Sequence, residues 1–283
     1  MSTLESLDFT PGRAVELSHG VRRLVAANGG MMTGPGTNTY LLGRDRIVIV
    51  DPGPALDGQV EAIEEAVGSA VVEAVVVTHT HIDHSPSALP LANRLGVPLI
   101  GRPARDRLYQ DPHFQPDQTV DEGDELATDL GPLRAVLTPG HASNHVCWHL
   151  ASLGFVCTGD HILGSVSPVI VHPDGSLREY LVSLEKIKQL RPYALLPGHG
   201  PVVLDPAPVI DRLASHRQLR ERRVLAALAD GDCHSVGDIL PRIYADVPKA
   251  LHEVARHTLL AHLVKLEEEH RVEVCGEDAW RAL

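Results

Sequence analysis

Thr78-His79-Thr80-His81-Ile82-Asp83-His84 places three imidazoles and a carboxylate within six positions, directly after the apolar run Val75-Val76-Val77. Imidazole and carboxylate together suit Zn²⁺, and less often Mn²⁺ or Fe²⁺, and four such groups exceed what one open catalytic ion needs. The stretch therefore predicts two metals at the end of a strand.

Three further segments share this form, an apolar run ending in a tight turn with a ligand-type residue: Leu137-Thr138-Pro139-Gly140-His141, Cys157-Thr158-Gly159-Asp160 and Leu195-Leu196-Pro197-Gly198-His199. A glycine before the ligand lets the backbone bend sharply and approach a shared centre. One such residue alone would be a hydrogen-bonded loop residue. Seven in matching contexts point to metal.

Between these turns, short β-rich runs (Tyr40–Leu42, Ile47–Val50, Ala74–Val77, Val97–Ile100, Ala135–Leu137, His145–Trp148, Phe155–Cys157) alternate with helical patterns. Helices are expected over Gln59–Val67, over Ser85–Leu95 with Ser85 as N-cap and Pro86 in the first turn, and over Ser176–Leu190. From about Pro206 the texture turns helical. A long stretch to Asp230 precedes Ser235–Tyr244, opened by a Ser235/Asp238 capping box, then Pro248–Glu269 and a hairpin over 271–280. Helix, helix, hairpin is a winged-helix-like order.

The pattern His79-x-His81-x-Asp83-His84, Gly140-His141, Gly159-Asp160 and Gly198-His199 resembles the metallo-β-lactamase-fold hydrolases over roughly residues 20 to 205. The resemblance implies an α/β fold, a four-layer αββα sandwich with the metals at one edge of two sheets, here over residues 1–205, and a small helical, winged-helix-like domain over 206–283. It implies that His79, His81 and His141 hold one Zn²⁺, that Asp83, His84 and His199 hold a second, and that Asp160 bridges them. Mn²⁺ or Fe²⁺ remain alternatives. Asp51, in Val50-Asp51-Pro52-Gly53, matches a position that orients ligands from behind. A hydroxide bridging the metals would be the nucleophile, with Asp83 orienting it and passing a proton, and His145 as a catalytic proton donor or supporting group.

Asp160 stands where some true β-lactamases carry Cys or Ser, which argues against antibiotic hydrolysis. His81 stands where the oxygen-reducing di-iron branch has Glu, which argues against redox chemistry; an iron persulfide dioxygenase stays open. Gly34-Pro35-Gly36-Thr37-Asn38-Thr39-Tyr40, Ala142-Ser143-Asn144-His145, Asp160-His161-Ile162-Leu163-Gly164 and the helix near His216-Arg217 are similar to a glyoxalase II-like branch with an appended winged-helix-like domain. That branch includes a single-strand endoribonuclease and polyketide-releasing thioesterases.

Composition narrows the substrate. With 43% hydrophobic and 22% charged residues in 283 positions the chain reads as an ordinary globular protein. A net charge of −12 disfavours long-range attraction to nucleic acid or anionic membranes, and 4% aromatic residues leave few rings on which bases could stack. No stretch reaches the length of a membrane span, and the expected home is cytoplasmic. The expected reaction is hydrolysis of an ester or thioester on a small-molecule acyl substrate, with single-stranded RNA cleavage as the alternative; the tail reads as a lid or a homodimer contact, which leaves the oligomeric state open. A non-catalytic metal-binding regulator contacting nucleic acid would need a basic recognition helix, and Leu251 to Glu269 is not basic.

Other residues are expected to be structural. His161 and His172 read as polar loop residues rather than cleft residues, and Trp148 and His149 as ordinary strand positions. Asn38 and Tyr40 either line the mouth or hold a turn. Arg217, Arg220, Arg222 and Arg223 read as a solvated helix face. Cys147, Cys157, Cys233 and Cys275 form no Cys-x-x-Cys pair and are expected reduced and mostly in the core.

Overall fold

The computed structural model describes residue 4, residues 6–164 and residues 166–283. Two sheets carry the chain as far as residue 197. The first has seven strands in the order β1(Val15–Ser18), β2(Val21–Val25), β3(Asn38–Leu42), β4(Arg46–Val50), β5(Val71–Val76), β6(Leu99–Gly101) and β7(Gln118–Thr119). The second has five, in the order β12(Ala194–Pro197), β11(Phe155–Gly159), β10(Val146–Leu150), β9(Leu133–Leu137) and β8(Glu125–Leu126). Pairing is antiparallel from β1 to β4 and parallel from β4 to β7; in the second sheet only β11 and β12 are parallel.

Strand alternation builds the layers. Tyr40 and Leu42, Val48 and Val50, and Ala74 and Val76 point inward to meet Ala135, Val146, Trp148, Phe155, Cys157 and Leu196 of the other sheet in one core. Their neighbours Leu41, Ile47, Ile49 and Val75 face outward, against Ile63 and Val67 of α1(Gln59–Val67) and Ala88 and Leu91 of α2(Ala88–Leu95). On the far side Val136, Cys147 and Val156 pack on Tyr180, Leu184 and Ile187 of α3(Leu177–Gln189) and on Ile210 and Leu213 of α4(Pro206–Ala227). The layers are therefore helix, sheet, sheet, helix, and strands buried on both faces explain why these runs are almost continuously apolar.

A fourth apolar cluster closes the C-terminal region. Val224, Ala227 and Leu228 join α5(Val236–Ile243), α6(His252–Glu268) and Val272 and Trp280 of a small sheet ordered β13(His234–Ser235), β15(Ala279–Ala282), β14(Val272–Gly276). The Ser235/Asp238 capping box forms as its spacing predicts. A single helix, α4, thus packs its first half on the sandwich and its second half on the C-terminal core.

Three expectations are corrected. The second helix begins at Ala88 rather than Ser85, because Ser85 Oγ donates to Asp111 Oδ2 (3.1 Å) and residues 82–87 stay in turns and a bend. Cys233 and Cys275 are disulfide-bonded rather than reduced, since folding brings their Cα atoms to 6.1 Å across 42 residues of sequence; Cys147 and Cys157 are free and buried as expected. Arg217 and Arg220 are buried rather than solvated, pressed into the junction beside Tyr180 and Tyr244.

Candidate metal centre

Every predicted ligand leaves the C-terminal end of a strand on one edge of the sandwich. His79, His81, Asp83 and His84 follow β5, His141 follows β9, Asp160 follows β11 and His199 follows β12. Asn38 ties the last turn down: its Nδ2 donates to the carbonyls of Pro197 (2.8 Å) and Gly200 (2.9 Å). Tyr40 donates its hydroxyl to the same Pro197 carbonyl (2.8 Å). Both residues therefore hold a turn rather than line a mouth.

Two glycines are required by close approach. A Cβ on Gly140, whose φ is 145°, would fall 2.3 Å from the Cα of Tyr180. A Cβ on Gly198 would sit 2.6 Å from His84 Cε1 and 2.7 Å from Asp160 Oδ1, inside the space the ligands share.

The donors gather into two groups, His79 with His81 and His141, and Asp83 with His84, Asp160 and His199, each with its ligand atoms within 4.8 Å of one another. In the first, His81 Nδ1 lies 2.9 Å from His79 Nε2 and 3.0 Å from His141 Nε2. One proton cannot satisfy three converging ring nitrogens, but a cation can. In the second, Asp83 Oδ2 is 3.2 Å and Asp160 Oδ1 is 3.4 Å from His199 Nε2. Asp160 reaches both groups, with Oδ1 also 3.4 Å from His84 Nε2 and Oδ2 3.8 Å from His141 Nε2. His84 Nε2 and Asp160 Oδ1 are buried without a hydrogen-bond partner among the described residues, as ligand atoms awaiting a cation would be. The donor set fits metal.

The outward nitrogens are fixed from behind. His84 Nδ1 donates to Asp51 Oδ2 (2.9 Å), His141 Nδ1 to the Val169 carbonyl (2.7 Å) and His199 Nδ1 to the Gly36 carbonyl (3.3 Å). His79 Nδ1 meets Thr78 Oγ1 (3.0 Å), which donates to Asp51 Oδ2 (2.7 Å). These bonds set the tautomer that turns Nε2 inward. Asp51 thus holds His84 directly and His79 through Thr78. Thr78 and the Val169 and Gly36 carbonyls carry no signature that distinguishes them in the sequence.

Electrostatics separates the groups. Burial, with crowding by neighbouring imidazoles, holds His79 well below the usual imidazole range, brings His81 down to about 3 and lowers His141, so all three are neutral donors. Burial also opposes charge on His84 and His199, yet the carboxylates of Asp83 and Asp160 outweigh it, raising His84 well above its ordinary value and His199 to about 9.

His145 is not brought to the cleft. It lies behind His79, ring centroids 5.2 Å apart, with Nδ1 on Thr138 Oγ1 (2.9 Å), and only 1% of it is exposed. Its place suits support of His79 rather than proton delivery to a substrate. His161 is also buried, against Tyr180, whereas His172 lies on an exposed loop beside a different pocket. Trp148 fills the core and donates Nε1–H to the Val77 carbonyl (3.2 Å).

A cavity of about 550 Å³ opens onto His81, Asp83, His141, Asp160 and His199, walled by Met32, Ile82, Val169, Val171 and Val254 together with Tyr109, Glu253 and His257. Val254 belongs to α6, so the C-terminal region roofs the metal centre. Residues 32–199 match the family described as Metallo-beta-lactamase superfamily. The chain belongs to the metallo-beta-lactamase superfamily. Residues 235–280 match the beta-lactamase associated winged helix domain. A superfamily relative in Caenorhabditis elegans, "Beta-lactamase-like protein 2 homolog", is 32% identical over 91% of this chain and 88% of its own length. "Atrochrysone carboxyl ACP thioesterase" of Aspergillus fumigatus is 33% identical over 78% of this chain and 70% of its own. A beta-lactamase domain protein of Burkholderia ambifaria shares the fold, with a TM-score of 0.80 at 23% identity over 98% of each chain. This superfamily member has a His/Asp cluster able to bind metal ions, and among its described residues no helix is long and apolar enough to cross a membrane.

Proposed function

We propose that the chain is a binuclear, zinc-dependent hydrolase of esters or thioesters, with residues 1–205 as catalytic unit and 206–283 as the unit that roofs the cleft. The observation that carries this reading is the cavity over the donor cluster: away from the donors Met32, Ile82, Val169, Val171 and Val254 give it an apolar lining that suits an acyl chain, and its Tyr109 and His257 rings stand edge to face rather than as a parallel row on which successive bases would stack. The thioesterase among the relatives supports the same direction. A pair of divalent cations, when bound, would supply a deprotonated water near neutral pH and polarise the scissile carbonyl.

The chain's own residues then have distinct tasks. Val169 and Gly36 hold His141 and His199 in position through their carbonyls, and Asp51 holds His84. Asp83 is partly exposed, edges the cavity and is the carboxylate placed to carry a proton towards a leaving group. Met32, Ile82 and Val254 give the acyl side an apolar surface.

The test is a panel of short- and medium-chain acyl thioesters, aryl esters and single-stranded RNA given to zinc-loaded protein. Thioester or ester turnover that vanishes on chelation and returns with zinc is expected, with RNA left intact. Metal-dependent RNA cleavage without acyl hydrolysis would overturn the reading in favour of phosphodiester chemistry.

A further inference from the structure

Beside the metal centre lies a second cavity of about 600 Å³ that shares His141, Asp160, Met32, Val169 and Val254 with the first. Its body is apolar, built by Leu163, Val166, Val247 and Leu251, whereas one wall is α4, which contributes Arg212, His216, Arg217 and Arg220. An apolar chamber with guanidinium groups in its wall is an unusual combination, because desolvating a permanent charge is costly unless a counter-charge faces it.

The four side chains differ in what already neutralises them. Arg220 is matched by Asp246, whose oxygens lie 2.7 and 3.1 Å from its terminal nitrogens. His216 is pushed down to about 4 by burial and by Arg217 and Arg220 beside it, so it carries no charge at neutral pH. Arg217 is 2% exposed and donates to the Pro168 carbonyl; its guanidinium stands 5.4 Å from the Tyr180 ring centre. Its Nε has no partner, and no carboxylate pairs with it among the described residues. Arg212, at the exposed rim, donates to the Gly164 carbonyl (2.8 Å) and likewise has no carboxylate partner among the described residues. Two uncompensated positive charges therefore border a greasy chamber next to the reacting centre.

We propose that this cavity is an acyl subsite selecting acyl groups that carry a second, distal carboxylate, read by Arg217 from the buried wall and by Arg212 from the rim. The inference rests on the acyl-hydrolase reading for the bond that is cleaved, but the recognition is independent of it. Guanidinium matches a carboxylate with paired hydrogen bonds, and in a dry wall such a bond is stronger than at a wet surface. The apolar body would cover the chain between the scissile carbonyl and the distal charge. A polynucleotide would instead need a long basic track, and the arginines here are confined to one wall, with Asp160 of the metal centre also lining the cavity.

The test compares binding of hexanedioate and hexanoate to the zinc-loaded full chain by calorimetry, since a carboxylate on the metals is common to both ligands. Hexanedioate should bind about tenfold tighter or better, the effect of one added charge-assisted contact. Arg217→Met should abolish that advantage, Arg217→Lys should restore part of it, and Arg212→Ala, at an exposed position, should reduce it. Equal affinity in the parent protein, or an advantage that survives both Arg217→Met and Arg212→Ala, overturns the proposal. So does a single-stranded oligoribonucleotide that displaces hexanedioate in an Arg217-dependent way. If hexanoyl thioester is hydrolysed while the dicarboxylate shows no advantage, only this subsite fails. If the advantage is present but no ester or thioester is cleaved, the subsite stands and the acyl-hydrolase reading fails.

Discussion

Asp160 has one oxygen within 3.4 Å of the inward nitrogens of His84 and His199 and the other 3.8 Å from that of His141. Removing it takes a donor from both groups, so Asp160→Ala should lower metal content at both sites, whereas His84→Ala should empty mainly the second. Metal analysis by mass spectrometry under native conditions distinguishes two, one and zero ions; full occupancy in Asp160→Ala would refute a bridging role. Gly198 makes a complementary case with no donor removed. A methyl there would meet His84 and Asp160 at 2.6 and 2.7 Å, so Gly198→Ala should weaken metal binding at least tenfold while circular dichroism stays that of the parent. A variant binding metal as tightly as the parent would show that the cradle is looser than this contact implies.

Asp246 links α4 to the end of α5 through Arg220 and Arg223. Its hydrogen bond from Arg220 pulls its carboxyl down to about 2 against a usual 3.8. A carboxyl lowered on folding stabilises the native state above its unfolded value and loses that contribution as pH falls through the folded one. The link should therefore be fully present above pH ~4 and fade towards pH ~2. Asp246 is about half exposed, which discounts the pair, but Asn here leaves Arg220 buried with a weaker partner. Asp246→Asn should cost about 1–2 kcal/mol in urea unfolding at pH 7 and much less at pH 2. An equal cost at both values would mean that packing, not charge, carries the effect. This link also marks the limit of what the chain reveals before it folds. Apolar runs such as Ile47–Val50 and turns such as Pro139-Gly140-His141 are legible because strand period and ligand chemistry are local. The start of α2 is not, because Asp111 removes the Ser85 hydroxyl from capping. Arg217 and Arg220 look solvated because the surfaces that bury them, Tyr180 and Tyr244, are distant in sequence. The Cys233–Cys275 bond is hidden for the same reason.

At the scale of the molecule, the sandwich and the winged-helix core are joined by shared elements rather than by a loose linker. One continuous helix, α4, gives Leu213 to the cluster under α3 on the sandwich and Val224 to the C-terminal core. Ala261 of α6 packs in the sandwich-side cluster while Leu259 and Leu263 belong to the C-terminal one. Ion pairs add to this seam: Lys265 meets Glu221 of α4 at 2.6 Å, and Arg178 of α3 meets Glu268 at 3.1 Å. A helix that must unfold in both cores couples them, so heating should give one calorimetric transition with equal van't Hoff and calorimetric enthalpies. Metal binds only where the ligand turns are folded. At a hundredfold excess over Kd a single site adds about 2.7 kcal/mol, which for a chain of this size raises Tm by roughly 5 °C. Because the cores are coupled, zinc should shift the whole transition, and chelation should lower the melting of the winged-helix region although no ligand residue lies within it. Separate transitions, of which only one moves with zinc, would show that α4 frays between its two halves and that the roof over the cleft can open without disturbing the metal centre.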